Sequence, residues 1–185
     1  MSQSKRNLTC VLSREECQLL LKAAKKSDPF LKMSYLLCLT MIMTGLRSTE
    51  IIQLTHSQID FEQSVILIKK KQEPLHELVS LPKEVAKALK LYINHPALIF
   101  WTSQGNDQIF FFKDKPFNTH TLTKHIKHLA KEAGIKKNVT PRCLRYTFAY
   151  NIQKYHFKSP LILKSLLRIK RTESLLRYLI CDFVL

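Results

Sequence analysis

The longest apolar run of the chain lies between Met33 and Met43 and is interrupted only by Ser34 and Thr40. This run is too short to span a bilayer as a helix, which needs roughly 20 residues. A helix that is apolar around its whole circumference must instead be enclosed by the rest of a globular protein. The run therefore predicts a buried central helix. The length of 185 residues and the 45% apolar content predict one domain with a substantial core.

Capping residues and helix breakers divide the rest of the chain into further helices. Ser13 and Glu16 form a capping box, Asp28 and Pro29 start the central helix, and Gly134 closes a later helix. We expect residues 1–12 to be a tail and residues 13–185 to form the single domain. The predicted helices are one that opens at residue 13, the central helix from 28 to about 45, and those at 48–54, 82–93, 119–133, 141–155, 160–167 and 172–180.

Strand patterns are confined to the middle of the chain. Residues 65–68 and 77–81 are rich in β-branched and aliphatic residues, and the lysine-rich loop between them predicts a hairpin with a cationic tip. We also expect short strands at 97–101 and 109–112, around a turn at 104–107. The sequence therefore predicts an α+β fold, mainly helical, with one small antiparallel sheet.

The charge of the chain points to a polyanionic partner. Thirty Lys and Arg residues against fourteen Asp and Glu residues give a formal net charge of +16. Such a field attracts polyanions, and the binding weakens with salt. A membrane surface is the rival partner, but the cations are spread along the sequence and form no amphipathic stripe. Nucleic acid is the favoured partner.

The cysteines and glycines exclude several other classes. The five cysteines are widely spaced and form no Cys-x-x-Cys pair, which favours a reducing compartment and a cytoplasmic, DNA-associated protein. With only three glycines there is no phosphate loop of a nucleotide triphosphatase, and we expect no nucleotide cofactor. His125 and His128 lie one helical turn apart, but no cysteine or carboxylate accompanies them, so we expect no metal.

Two arginines stand at a predicted helix start, where cations are normally unfavourable. Thr140 is the expected N-cap and Pro141 the first helical residue, so Arg142 and Arg145 lie one turn apart on the same face. The helix dipole makes this end partly positive, and an anion is needed to complete the arrangement. In a chain this basic, the natural anion is a phosphate.

Three sequence boxes resemble those of one enzyme family, in the same order and at similar distances. Residues 44–50, Thr-Gly-Leu-Arg-Ser-Thr-Glu, resemble the box around the first catalytic arginine of the tyrosine recombinases, the phage-integrase family. Residues 142–149 resemble the second box, normally His-x-x-Arg. Residues 166–169, followed nine residues later by Tyr178, resemble the last box, normally Leu-Leu-Gly-His and then the nucleophilic tyrosine. The resemblance covers nearly the whole chain and implies a DNA breaking-rejoining catalytic domain, without the core-binding domain that usually precedes it.

The resemblance implies a role for each matched residue. Tyr178 is the nucleophile that forms a covalent phosphotyrosine, and Arg47 and Arg145 clamp the phosphate. Glu50, three residues after Arg47, is expected to hold that arginine rather than to act as a base. The family also implies duplex DNA as partner, self-association on that DNA, and no cofactor.

In the family a lysine of the hairpin donates a proton to the leaving 5′ oxygen. Its distance from Arg47 points to Lys71, and Lys69 and Lys70 are competitors for this role and otherwise DNA contacts. Further expected contacts to DNA are His56, Lys124 and His125.

Two positions depart from the family pattern. The histidine of the second box is replaced by Arg142, which keeps a phosphate donor but is a poor proton acceptor. The histidine or tryptophan of the last box is replaced by Ile169, although Arg168 next to it could supply a donor if the local register shifts. These changes leave open a second hypothesis, a catalytically weakened DNA-binding regulator or plasmid-maintenance protein. A nicking-closing activity like that of type IB topoisomerases is a third.

Overall fold

A central helix organises the computed structural model, which describes residues 10–68, 77–112, 115–155 and 159–179. Helix α2 (Met33–Thr44) has ten buried residues of twelve, and three other helices pack on it. This confirms the buried central helix. The helices with the most extensive contacts to α2 are α1 (Arg14–Ser27), α4 (Lys83–Ile93) and α7 (Pro141–Tyr155).

The start of α2 differs from the sequence-based expectation. Asp28 does not open this helix; it follows α1 as its C-cap. The Asp28 carboxylate accepts hydrogen bonds from the backbone N–H groups of Leu31 at 3.1 Å and Met33 at 2.9 Å. Because this carboxylate organises a turn, the helix begins at Met33 instead.

The sheet is antiparallel, as expected, and contains three strands among the described residues. Strand β1 (Ile59–Asp60) pairs with β2 (Val65–Ile68), and β2 pairs with β3 (Glu77–Ser80). The register places Val65 opposite Ser80. Strand β1 was not expected, because two residues carry no detectable alternation. The tip of the β2–β3 hairpin, with Lys69, Lys70 and Lys71, lies outside the described residues.

The region after α4 was the least well predicted. Residues 97–101 are helical and belong to α5 (Pro96–Ser103), not to a strand; Pro96 starts this helix and the His95 side chain caps it. Residues 109–112 are not a regular strand either. Their backbone is fixed by contacts outside any sheet: Tyr92 Oη donates to the Ile109 carbonyl at 2.5 Å, and the Ile109 N–H donates to Leu54 at 2.9 Å.

The remaining helices complete the domain around the end of α7. Helix α3 (Ser48–Ile52) follows α2 at once, and α6 (Thr119–Glu132) packs against α1, α3 and α7. Helices α8 (Pro160–Leu166) and α9 (Thr172–Leu179) share a small apolar cluster with Phe148 of α7. In the part of the chain that the structure describes, no helix is long and apolar enough to cross a membrane.

Gly45 allows α2 and α7 to pack closely against each other. It ends α2 in the left-handed conformation, with φ of 62°. A Cβ atom at this position would lie 2.3 Å from Cδ1 of Phe148, so only glycine allows the two helices to approach this closely. The close contact brings the corner between α2 and α3 to the N-terminal half of α7.

Candidate active site

Three distant parts of the chain meet around one cavity of about 450 Å³. Arg47 comes from the α2–α3 corner, Arg142 and Arg145 from the start of α7, and Tyr178 from α9. Glu77 of β3 is the one carboxylate among the described residues that line it. Its cationic lining residues are Arg47, Arg142, Arg145, Arg168, Lys170, Arg171 and Arg177. The cavity is therefore strongly cationic and suited to an anion.

Arg47 is held by a carboxylate one turn further along. Glu50 accepts from the Arg47 backbone N–H at 2.7 Å and from Arg47 Nη1 at 2.5 Å. Arg47 Nη2 donates to the backbone carbonyl of Arg168. Burial alone would raise the pKa of the Glu50 carboxyl, but Arg168 and Arg47 outweigh burial and lower that pKa. Glu50 is thus an ionised anchor for Arg47.

Arg145 connects the three parts of the cavity wall. It is only 5% exposed, and Nη1 and Nη2 donate to the carbonyls of Gly45 and Leu167. Its Nε donates to Tyr178 Oη at 3.1 Å. Burial lowers the pKa of the guanidinium, while the Tyr178 phenol acts in the opposite direction. An arginine stays charged in proteins, so Arg145 is a fixed cation beside the phenol.

Tyr178 lies at the cavity and is not enclosed in the core. Its ring is half-buried, and its centroid lies 4.8 Å from that of Tyr146. The Arg145 guanidinium carbon lies 5.7 Å from the centre of the Tyr178 ring. Gln153 Nε2 donates to the Tyr178 carbonyl at 3.2 Å, which attaches α9 to α7. The phenol oxygen thereby lies beside a fixed cation, in a residue that lines the cavity.

The two residues that depart from the family pattern, Arg142 and Ile169, both line the cavity. Arg142 is exposed there, so it is available to an anion. Ile169 presents a side chain without any hydrogen-bonding atom. Arg168 does not take its place by a shift in register, because its side chain is only 4% exposed and donates to Glu50 Oε2 at 2.6 Å.

The other residues expected to contact DNA are placed differently. His56 and Lys124 are exposed but do not line the cavity. His125 is partly buried: its imidazole lies 2.9 Å from Ser34 Oγ and packs against Phe112 and Phe117, and its contact with DNA stays a prediction. Burial lowers the pKa of His125. The ring is therefore a structural contact between α6 and α2.

Sequence patterns did not reveal several residues of the cavity. The carbonyls of Leu167 and Arg168 hold the two clamp arginines, and a backbone acceptor has no sequence signature. The position of Glu77 at the cavity could not be predicted either, because it depends on the packing of β3 beside residue 168. The cluster of Lys170, Arg171 and Arg177 was visible only as part of the general positive charge. Among the described residues, no group of His, Cys, Asp and Glu is suited to a metal ion.

Comparison with known proteins gives a consistent result. The sequence profile of the phage integrase family matches residues 10–166, which leaves Tyr178 beyond the matched part. Tyrosine recombinase XerD of Halalkalibacterium halodurans is 26% identical over 148 residues, covering 80% of this chain and 49% of XerD. The virulence plasmid integrase pGP8-D of Chlamydia muridarum is 28% identical over 143 residues, covering 75% of this chain and 40% of the integrase. The chain spans about half the length of the relatives it matches.

Solved structures share the fold. The crystal structure of XerA recombinase matches with a TM-score of 0.80 and 27% identity, over 96% of this chain and 61% of XerA. XerH recombinase in a post-cleavage complex with palindromic difH DNA matches with a TM-score of 0.74 and 23% identity, over 96% of this chain and 51% of XerH. At that identity the XerH match shows the fold alone. Because the family profile covers most of its length, the chain belongs to the phage integrase family.

Proposed function

We propose that this chain carries out site-specific DNA recombination, by strand cleavage and rejoining through a covalent 3′-phosphotyrosine intermediate. The observation that carries the proposal is the 3.1 Å hydrogen bond from Arg145 Nε to Tyr178 Oη, in a cavity that Arg47 and Arg142 also line. A nucleophile beside several fixed cations suits attack on a phosphodiester, whose transition state carries negative charge on its oxygens.

The proposed step exchanges one phosphoester bond for another. Tyr178 Oη attacks the scissile phosphorus and loses its proton to solvent water, and the bond from phosphorus to the 5′ oxygen of the DNA breaks. The 5′ oxygen leaves as a hydroxyl after it gains a proton. Because the phosphotyrosine keeps an ester bond, the reverse attack by a 5′ hydroxyl rejoins DNA without an external energy source.

The clamp arginines have donors left for the phosphate. A guanidinium has five N–H groups. Arg145 directs three of these groups to Gly45, Leu167 and Tyr178, and we propose that the other two bind the phosphate. Arg142, exposed at the cavity, adds a third guanidinium. These fixed donors need no rearrangement when charge develops.

Proton transfer is the part of the chemistry in which this chain departs from its family. The proposed acid for the 5′ oxygen is Lys71, with Lys69 and Lys70 as competitors. Neither Arg142 nor Ile169 can accept the proton of Tyr178. We therefore propose that cleavage is slow compared with relatives that keep both histidines.

Duplex DNA is the proposed substrate. The net charge of +16 and the cationic cavity favour it. A solved neighbour, XerH, was crystallised with its difH DNA. Self-association on DNA belongs to the same proposal, since a neighbour of the same fold was crystallised as a lambda integrase dimer bound to a core site.

The test is a search for the covalent adduct. Labelled duplexes with a nick near a randomised sequence trap the intermediate, because the short cleaved strand diffuses away. We expect the wild-type chain to yield a protein–DNA band stable to detergent, and Tyr178→Phe to yield none. Tyr155→Phe, a matched change at an exposed tyrosine of α7, is the control and should form the adduct.

The second candidate is a DNA-binding regulator without cleavage. Two observations favour it: Arg142 replaces the histidine of the second box, and Ile169 replaces the histidine or tryptophan of the last box. The same experiment separates the two functions. Binding of duplex DNA with no adduct in the wild-type chain, at any pH or time, would establish the regulator and overturn the recombinase.

A further inference from the structure

Arg168 combines two features that are each unfavourable for an arginine. Its backbone is left-handed, with φ of 53°, a conformation that costs a residue with a Cβ atom free energy and that glycine adopts readily. Its side chain is only 4% exposed, so a charged group has been removed from water. Such a residue persists only where its surroundings stabilise it.

The contacts of the guanidinium supply that stabilisation and join separate elements. Nη2 donates to Glu50 Oε2 at 2.6 Å, and Nη1 donates to the Leu166 carbonyl at 3.1 Å. Nε lies 3.7 Å from Glu77 Oε2. Glu50 belongs to α3 and Glu77 to β3, so this one side chain connects the α2–α3 corner with the sheet.

Arg168 and Arg47 are linked in a closed ring. The Arg168 carbonyl accepts from Arg47 Nη2, the Arg168 side chain donates to Glu50, and Glu50 in turn accepts from Arg47. Arg47 is thus held both by the backbone and, through Glu50, by the side chain of Arg168. Any shift of Arg168 moves two acceptors of the clamp together.

We propose that Arg168 is a positioning residue, which aims Arg47 at the scissile phosphate and couples that clamp to strand β3. The inference rests on the proposed function. It explains why this chain has an arginine where the last family box normally has glycine. The guanidinium faces carboxylates and a carbonyl, so it acts through Arg47 and not as a direct phosphate ligand.

Orthovanadate is a suitable probe, because it adopts the five-coordinate geometry of phosphoryl transfer and needs no DNA sequence. We expect calorimetry to show that Arg168→Gly binds vanadate at least about tenfold more weakly than the wild type, since charge-assisted hydrogen bonds contribute that much. With a DNA sequence identified by the adduct assay, and with binding saturated, we expect Arg168→Gly to cleave about 100-fold more slowly than the wild type. A misplaced catalytic group has an effect of this size.

Two variants separate positioning from simple loss of charge. The double variant Arg168→Gly with Glu77→Gln keeps the net charge, because it removes one of the two carboxylates that the Arg168 guanidinium faces. Positioning predicts weak vanadate binding in the double variant, whereas a charge effect predicts recovery to the wild-type level. Lys32→Gly is the matched control, because Lys32 is an exposed cation with φ of 55° outside the cavity; its vanadate binding should be unchanged.

Wild-type affinity for vanadate in the double variant would overturn the inference, and so would a wild-type chain that binds no vanadate. A wild-type chain that binds vanadate but forms no adduct would overturn the proposed cleavage alone. The binding comparison would still decide the role of Arg168.

Discussion

Ile169 occupies a position at which the resemblance places a histidine or tryptophan, and its side chain can neither donate nor accept a proton. It lines the same cavity as Tyr178. We expect Ile169→His to raise the rate of adduct formation roughly 100-fold, a typical contribution of a positioned acid or base. This increase in rate should change with pH as an imidazole titrates, near pH 6.5.

The measurement is a time course of adduct formation on nicked DNA between pH 5 and pH 8. Ile162→His, the same change on α8 outside the cavity, is the control and should leave the rate unchanged. An unchanged rate in Ile169→His would mean that proton transfer does not limit cleavage in this chain.

The lowered pKa of Glu50 makes the stability of the fold depend on pH in the acid range. Arg168 and Arg47 lower its pKa in spite of burial, so the folded state binds a proton at this carboxyl less readily than the unfolded state, whose value is about 4.3. The stability from this group is therefore complete above that value and is lost as the pH falls through the lower folded pKa. We expect Glu50→Gln to flatten the acid limb of the unfolding free energy, measured with urea.

The exposed Glu62→Gln should leave the same acid limb steep. If Glu50→Gln and the wild type lost stability in parallel below pH 4, the Glu50 contacts would not stabilise the fold.

At the scale of secondary structure, the contact between α2 and α7 gives the clearest prediction. Gly45→Ala has to accommodate both the left-handed backbone, with φ of 62°, and a Cβ atom 2.3 Å from Phe148. Those two effects together should lower the free energy of unfolding by about 2–5 kcal/mol. Gly134→Ala is the matched control, with φ of 71° and open space around the added atom, and should cost only about 1–2 kcal/mol.

Urea unfolding of both variants checks this expectation. Equal losses would show that the packing against Phe148 adds nothing to the backbone cost. Because Arg145 donates to the Gly45 carbonyl, Gly45→Ala should also slow the adduct reaction.

Elements with one dominant local signal could be predicted from the sequence, and those fixed by tertiary contacts could not. The run from Met33 to Met43 is apolar on every face, and burial of that helix is the only good solution. The run at 97–101 is equally apolar but short, so strand and helix fit it alike. Pro96 in the first turn and the capping side chain of His95 favour the helix, α5, over a strand. The segment at 109–112 depends on partners such as Tyr92, which local pattern does not contain.

At the scale of the whole molecule, the candidate site also contains some residues that could be predicted from the sequence and others that could not. The sequence boxes indicated Arg47, Arg142, Arg145 and Tyr178, and one cavity contains all four. The network that holds them could not be predicted, because it consists of the Gly45 and Leu167 carbonyls and of a buried arginine at residue 168. Backbone acceptors and long-range ion pairs arise only when the chain has folded.

The distribution of charge over the molecule predicts how DNA binding depends on salt. If the cavity faces the DNA backbone, its cations displace counterions from phosphates, and each one contributes about 0.9 to the slope of log affinity against log salt. We expect the double change Arg171→Gln and Arg177→Gln to reduce that slope by about two in fluorescence anisotropy titrations. The change Lys83→Gln with Lys87→Gln removes the same charge from exposed positions of α4 outside the cavity, and should alter the slope much less. Equal slopes in both variants would mean that DNA responds to the net charge of +16 and not to the cavity.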